Sequence, residues 1–268
     1  MSQSNGGKPV KRRMALVVVL IACLIGVALG VAYLVNYGMT VQRAEQTQSE
    51  TSTPATPSQV SSEPSESSDS VENPIDFASL KKKNKDVYAW ITVPGTKVNY
   101  AVCQHPKDNS YYLKHDSDGN ANDAGAVFSE LYNTKTFKDP VTMLYGHYGF
   151  GGAMFTSLHD FEDADFFKQH TEFYIYTPGH IYTYRIVSAY RTDDRHIFSM
   201  YDFGKASQLK QFEHDIMHPN SVSQNVRKNA KLTAKDTFVV LSTCNSVNAG
   251  GDGRYLVCGV KTSDTKTR

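Results

Sequence analysis

Met14 to Val35 is an unbroken run of 22 residues without a formal charge, and it constrains the rest of the chain more than any other feature. About 20 apolar residues span the hydrocarbon core of a bilayer. Lys8, Lys11, Arg12 and Arg13 precede the run, and Arg43 is the only basic residue close behind it. The excess of positive charge on the N-terminal side predicts an N-terminus in the cytoplasm and everything after residue 36 outside. A cleaved signal peptide is the competing reading. The run is longer than a roughly 7–15-residue signal core, and Tyr33 to Tyr37 offers no small-residue cleavage site, so a retained anchor is expected.

This divides the chain into four parts: a basic cytoplasmic N-terminus (1–13), a transmembrane anchor (14–36), a linker (37–72) and an outer domain (73–268). Between residues 40 and 71 the chain is rich in Ser, Thr, Pro, Gln and Glu and has no aromatic residue. It has little to bury, which predicts a disordered tether. Its random-coil reach would be roughly 30 Å and its contour about 110 Å. The outer domain is long enough for one proper core. With Lys+Arg 28 against Asp+Glu 27, the net charge of +1 argues against nucleic acid as a partner.

The outer domain reads as strands with helices inserted. Val87 to Val93 and Lys97 to Cys103 alternate around the turn Pro94-Gly95. Further strands are expected at Ala126 to Ser129, Val141 to Tyr145, Glu172 to Thr177, Ile181 to Tyr190, Thr237 to Thr243 and Tyr255 to Thr262, with Pro178-Gly179-His180 as a hairpin turn. Asn73 to Asp86 reads as a helical lead-in, with Pro74 suited to a first turn. Helical pieces fit Ala153 to Leu158, Asp163 to His170 and Ala206 to Met217, the last with Leu209, Phe212 and Ile216 at helical spacing before Pro219. Many strands at short spacing predict a mostly β domain built as a closed barrel. Trp90 and the many tyrosines are expected to pack in it.

Cys244 ends one apolar run, Thr237 to Cys244, and Arg254 opens the next after nine residues. If the runs pair as a hairpin, thiol and guanidinium meet at its open end. A thiolate is the nucleophile, a nearby cation favours it, and Arg can hold an oxyanion with two N–H donors. His147 ends the strand Val141 to Tyr145 between glycines and is the best base. His105, His115, His159, His170, His180, His214 and His218 lie in loops, turns or polar helices and read as ordinary. Three cysteines lie outside the anchor. Cys244 is the expected free reactive thiol, and Cys103 and Cys258, in apolar runs, are expected as buried free thiols, with a disulfide between them as the alternative. The segment Ala249 to Gly253 lacks the Lys-Ser/Thr of a phosphate loop. No acidic cluster or histidine pairing supports a metal, and no cofactor is implied.

Tyr145-Gly-His147, Leu241-Ser-Thr-Cys244 and Arg254 together resemble the signature of sortases. Asn84 to Tyr100, Asp108-Asn-Ser-Tyr-Tyr-Leu113, Gly125-Ala-Val-Phe128 and Gly152-Ala-Met-Phe155 are similar to class B sortases in order and spacing, over residues 73 to 262. The family often has an aspartate two residues after the matching Phe; here Phe128 is followed by Ser129-Glu130. The resemblance implies an eight-stranded sortase barrel and cysteine transpeptidation at a Gram-positive cell surface. Cys244 would attack a Thr carbonyl in a Pro-containing sorting signal, His147 would act as acid and base, and Arg254 would hold substrate and oxyanion. Asn109, Leu113, Tyr145, Ser242 and Thr243 match positions that line the peptide groove. The implied partners are surface proteins bearing the signal and an accepting amine, from a peptidoglycan precursor or a pilin lysine. Three alternatives stay open: a pilin polymerase, a hydrolytic thiol protease, and a membrane-tethered binding domain with an inert cysteine.

Overall fold

Two Pro-Gly pairs make the corners from which the sheet grows. The computed structural model describes residues 8–49, 71–233, 235–244 and 253–268. Strands β1 (Val87–Thr92) and β2 (Asn99–Cys103) pair antiparallel around Pro94-Gly95, and β5 (Glu172–Thr177) and β6 (His180–Thr192) around Pro178-Gly179. Gly95 and Gly179 have φ of 83° and 88°, the left-handed backbone that a Pro-Gly turn requires at its second central residue.

The remaining strands are β3 (Val127–Phe128), β4 (Val141–Tyr145), β7 (Gln224–Val226), β8 (Phe238–Cys244) and β9 (Arg254–Lys266). Eight strands close a ring in the order β5-β1-β2-β3-β4-β8-β9-β6, because β6 returns to pair with β5. The first half of β6 closes this seam, while Ser188 to Tyr190 pair with β7, which stands outside the ring. Closure removes the edges that an open sheet would leave.

Side-chain alternation then makes three apolar clusters. Ile91, Val102, Leu144, Phe173, Ile186, Leu241 and Val257 fill the barrel interior. On the outer face of β4, β8 and β9, Met143, Val240 and Leu256 pack under helix α5 (Ala206–Met217) through Phe212 and Ile216. On the outer face of β1 and β2, Trp90 and Ala101 are covered by Ile75 and Phe77. Trp90 is buried and donates its indole N–H to Asn99 at 2.8 Å, so its role is packing. Burying each large apolar side chain contributes roughly 1.5–3 kcal/mol before entropy is charged against it.

The lead-in helix is shorter than expected. Helix α2 spans Phe77–Lys83 because the Asp76 carboxylate accepts the Ser79 N–H at 3.0 Å and caps it, leaving Pro74 in the bend before. The expected helix near Ala153 is a 3-10 turn at Thr156–Glu162, followed by α3 (Ala164–Gln169). Helix α4 (Ile197–Met200) and β7 have no counterpart in the sequence reading. Strand β9 runs four residues past Thr262, since Ser263 to Thr265 and Lys266 pair with the start of β6. At its end Val71 bridges to Thr267, so the start and finish of the domain are clasped together.

Helix α1 spans Lys8–Ser49. It corrects the linker boundary: residues 37–49, expected as disordered, continue the helix. They contain no proline, and Ala44, Glu45 and the glutamines favour helix. Within it Ile21–Thr40 is long and apolar enough to cross a membrane, a test that a signal sequence also passes. The rest of the expected linker (50–70), the first seven residues, the loop 245–252 and the side chain of Cys244 lie outside the described residues.

Candidate active site

The rim of the barrel where β4 and β8 end is built by topology. These strands are parallel neighbours, with Tyr145 opposite Ser242, so both finish on the same side. Gly146 extends the ladder by donating to the Ser242 carbonyl at 3.1 Å. Strand β9 runs back antiparallel, and its first residue, Arg254, is the direct partner of Cys244. Cross-strand partners have Cβ atoms about 4.5–5.5 Å apart. The hairpin expected from the sequence is therefore present, and Arg254 also pairs with Thr192 of β6.

His147 follows two residues after β4. A side chain on Gly146 would meet the buried Phe155 ring at 2.6 Å, so only glycine lets the chain turn over that ring. The Phe155 N–H donates to the His147 carbonyl at 3.0 Å. The imidazole Nε2 lies 2.8 Å from the Leu113 carbonyl oxygen. The 3-10 turn Tyr111–Leu113 is in turn steadied by His115, whose ring stacks on Tyr111 at 3.8 Å and whose Nδ1 reaches the Tyr111 carbonyl at 2.8 Å. His147 is thus fixed through both its backbone and its ring.

A groove of 440 Å³ leads to this rim. Asn109, Leu113, Tyr145, Ser242 and Arg254 all line it. Asn109 has a structural task as well, accepting the Leu131 N–H at 2.8 Å. The expectation for Thr243 is corrected: it is buried opposite Tyr255, a barrel-interior residue. Alternation along β8 turns its side chain away from the face carrying Ser242. Tyr145 stacks on Phe128 at 5.4 Å. Burial first, and then the neighbouring Glu130 carboxylate, push its hydroxyl well above the usual tyrosine range.

Two groove residues carried no signal as a pair in the sequence. Glu130 and His196 meet at 2.6 Å across 66 positions of chain. His196 sits in polar text without periodicity, and only the folded path of the β6–β7 connection brings it to the groove.

Cys103 and Cys258 are free and buried. Burial raises both thiols, that of Cys258 to about 12. Neither suits nucleophilic chemistry.

The sortase-domain family model matches residues 91–262. The chain belongs to the sortase family. It is 29% identical over 184 residues to Sortase B of Listeria monocytogenes, covering 69% of this chain and 73% of that protein. The solved Staphylococcus aureus sortase B–substrate complex is 29% identical with a TM-score of 0.62, over 70% of this chain and 84% of that one. A Streptococcus pyogenes class B sortase involved in pilus biogenesis is 30% identical with a TM-score of 0.60, over 70% of this chain and 98% of that one. This sortase is a cysteine transpeptidase of the class B type.

Proposed function

We propose that this sortase cleaves a Pro-x-Thr-type C-terminal sorting signal and transfers the acyl fragment to a cell-wall amine. The observation that carries the reading is the convergence of His147, Cys244 and Arg254 on one rim through the β4–β8–β9 register. The Cys244 thiolate adds to the Thr carbonyl carbon, and the Arg254 guanidinium stabilises the resulting oxyanion. The C–N bond then breaks as His147 gives a proton to the leaving amine, leaving a thioester. An incoming amine adds to the thioester carbonyl, His147 takes its proton, and the C–S bond breaks to return the thiolate. Asn109, Leu113, Tyr145 and Ser242 hold the peptide.

In this reading α1 is a retained single-pass anchor with a cytoplasmic N-terminus, and the barrel works outside the cell. The apolar stretch Ile21–Thr40 supports it.

The likeness to the S. pyogenes pilus-biogenesis sortase favours a second reading, in which a pilin lysine is the acceptor. One experiment addresses both. The full chain in detergent is incubated with Asn-Pro-x-Thr and Leu-Pro-x-Thr peptides and examined by mass spectrometry, then supplied with oligoglycine, a diaminopimelate peptide or a lysine-bearing pilin peptide. A thioacyl adduct on wild type and none on Cys244→Ala is expected, and the amine that discharges it fastest identifies the acceptor class. If Cys244→Ala cleaves as well as wild type, the mechanism is wrong.

A further inference from the structure

Strand β6 ends at Thr192, and the chain does not rejoin the sheet until Gln224. This long excursion forms the outer wall of the groove, while β3, β4 and β8 form its floor. Hydrogen bonds from His196 join wall to floor. His196 Nε2 lies 2.6 Å from Glu130 Oε2, with side-chain exposures of 36% and 16%. An ionised carboxylate only accepts, so this nitrogen carries the proton. The same carboxylate interacts with the Tyr145 hydroxyl, which is itself 3.4 Å from His196 Nε2. A second tie lies beside the first. Tyr132 stacks on Phe198 at 5.1 Å and packs on His196 at 5.3 Å. Two residues of the β3–β4 connection therefore grip two residues of the wall.

The chemistry at the rim does not account for this latch. β3 and β4 are antiparallel with Phe128 opposite Tyr145. Glu130 consequently lies on the side of Tyr145 away from His147, along the groove and not at its reacting end.

We propose that Glu130 and His196 are specificity-determining residues for the peptide. Their bond fixes the separation of wall and floor, and hence the width of the groove. It also holds the Tyr145 hydroxyl in one orientation as a polar contact for the bound chain. The inference rests on the reading of the groove as the sorting-signal site. Peptides matched to the fixed width bind well, and those that need a wider channel are refused. With the latch broken, the wall is free to adjust, and the penalty between good and poor peptides shrinks.

The test uses the full chain in detergent and a peptide set varied at x and at the positions flanking Pro-x-Thr. Wild type is compared with Glu130→Gln, His196→Gln, the double variant and Glu130→Asp. Each single amide variant should raise KM for the best peptide about tenfold while kcat stays within about twofold. The ratio of kcat/KM between best and poorer peptides should fall. The double variant should be no worse than the worse single one, because both remove the same bond. Glu130→Asp, which keeps the charge but shortens the reach, should fall between and guards against a folding defect in either amide variant. Unchanged KM and peptide preference in both single variants overturns the proposal, as does a loss confined to kcat. Wild type forming no Cys244 adduct with any peptide would defeat the sorting-signal reading itself and this inference with it. An active wild type with unaltered variant preferences defeats this inference alone.

Discussion

The Nε2 of His147 lies 2.8 Å from the carbonyl oxygen of Leu113. A carbonyl cannot donate, so that nitrogen bears the proton, and in the neutral ring the lone pair resides on Nδ1. In the proposed mechanism the Leu113 carbonyl helps to orient the base, a task that a carboxylate often performs in serine and cysteine hydrolases. Gly125 keeps the arrangement open. Its φ is 63°, and a Cβ there would sit 2.4 Å from the Tyr112 carbonyl and 3.1 Å from both the Leu113 carbonyl and the His147 ring. Gly125→Ala should lower kcat/KM by about a hundredfold through misplacement of the base. Imidazole nitrogen NMR should show loss of the fixed Nε2–H form. Full activity in this variant would separate the Leu113 contact from catalysis.

Arg254 is proposed to hold the oxyanion with a planar pair of donors. Lysine keeps the charge but not the fork. Arg254→Lys should therefore reduce kcat by about 10²–10³-fold, the range for losing an oxyanion donor. Steady-state kinetics on the preferred peptide checks this, and a variant retaining full rate removes the bidentate role.

Glu162 sits beneath the rim, accepting from Arg191 at 2.9 Å and meeting His159 Nδ1 at 2.6 Å. His159 in turn stacks on Tyr255, the neighbour of Arg254. Burial alone would raise the Glu162 carboxyl, but the hydrogen bonds from His159 and Arg191 outweigh it and hold the group below its usual range. A depressed carboxyl contributes stability above its unfolded pKa and loses it as pH falls through the folded value. Glu162→Gln should lower Tm by about 1–3 °C at pH 7. The gap to wild type should close as pH drops below about 4.3, the unperturbed value for Glu. Thermal melts by circular dichroism at pH 7, 5 and 3 test the trend, and a gap that widens in acid contradicts it.

Cys103 and Cys258 have no solvent-exposed surface. Iodoacetamide at pH 8 should leave both unlabelled in the folded chain and modify both in guanidinium, as read by peptide mass mapping. Cys244 should label in the native protein, and its label should be lost in Cys244→Ala. Native labelling of Cys258 would contradict its burial in the sheet.

The elements that are legible from sequence owe it to clean local signals. Val141–Tyr145, Glu172–Thr177 and Ala206–Met217 match their expected bounds, each framed by apolar periodicity and a Pro, Gly or polar stop. The juxtaposition of Cys244 and Arg254 is legible because a short connection between two β runs leaves few alternatives to a hairpin. Gln224–Val226 is not, since three mostly polar residues join the sheet only because β6 outruns β5 and offers them a free edge. Thr243 departs from expectation for a simpler reason: sharing a motif with Ser242 does not mean sharing a face. The Glu130–His196 bond is invisible in the sequence because it depends on where a 31-residue excursion lies, and no local pattern encodes that path.

The clasp of Val71 on Thr267 joins the start of the outer domain to the far end of its last strand. Arg254 opens β9 and Lys266 closes it, so the point where the chain enters the barrel and the reacting rim are separated by the length of one strand, about 40 Å at roughly 3.3 Å per residue. The clasped ends therefore lie at the opposite end of β9 from Arg254.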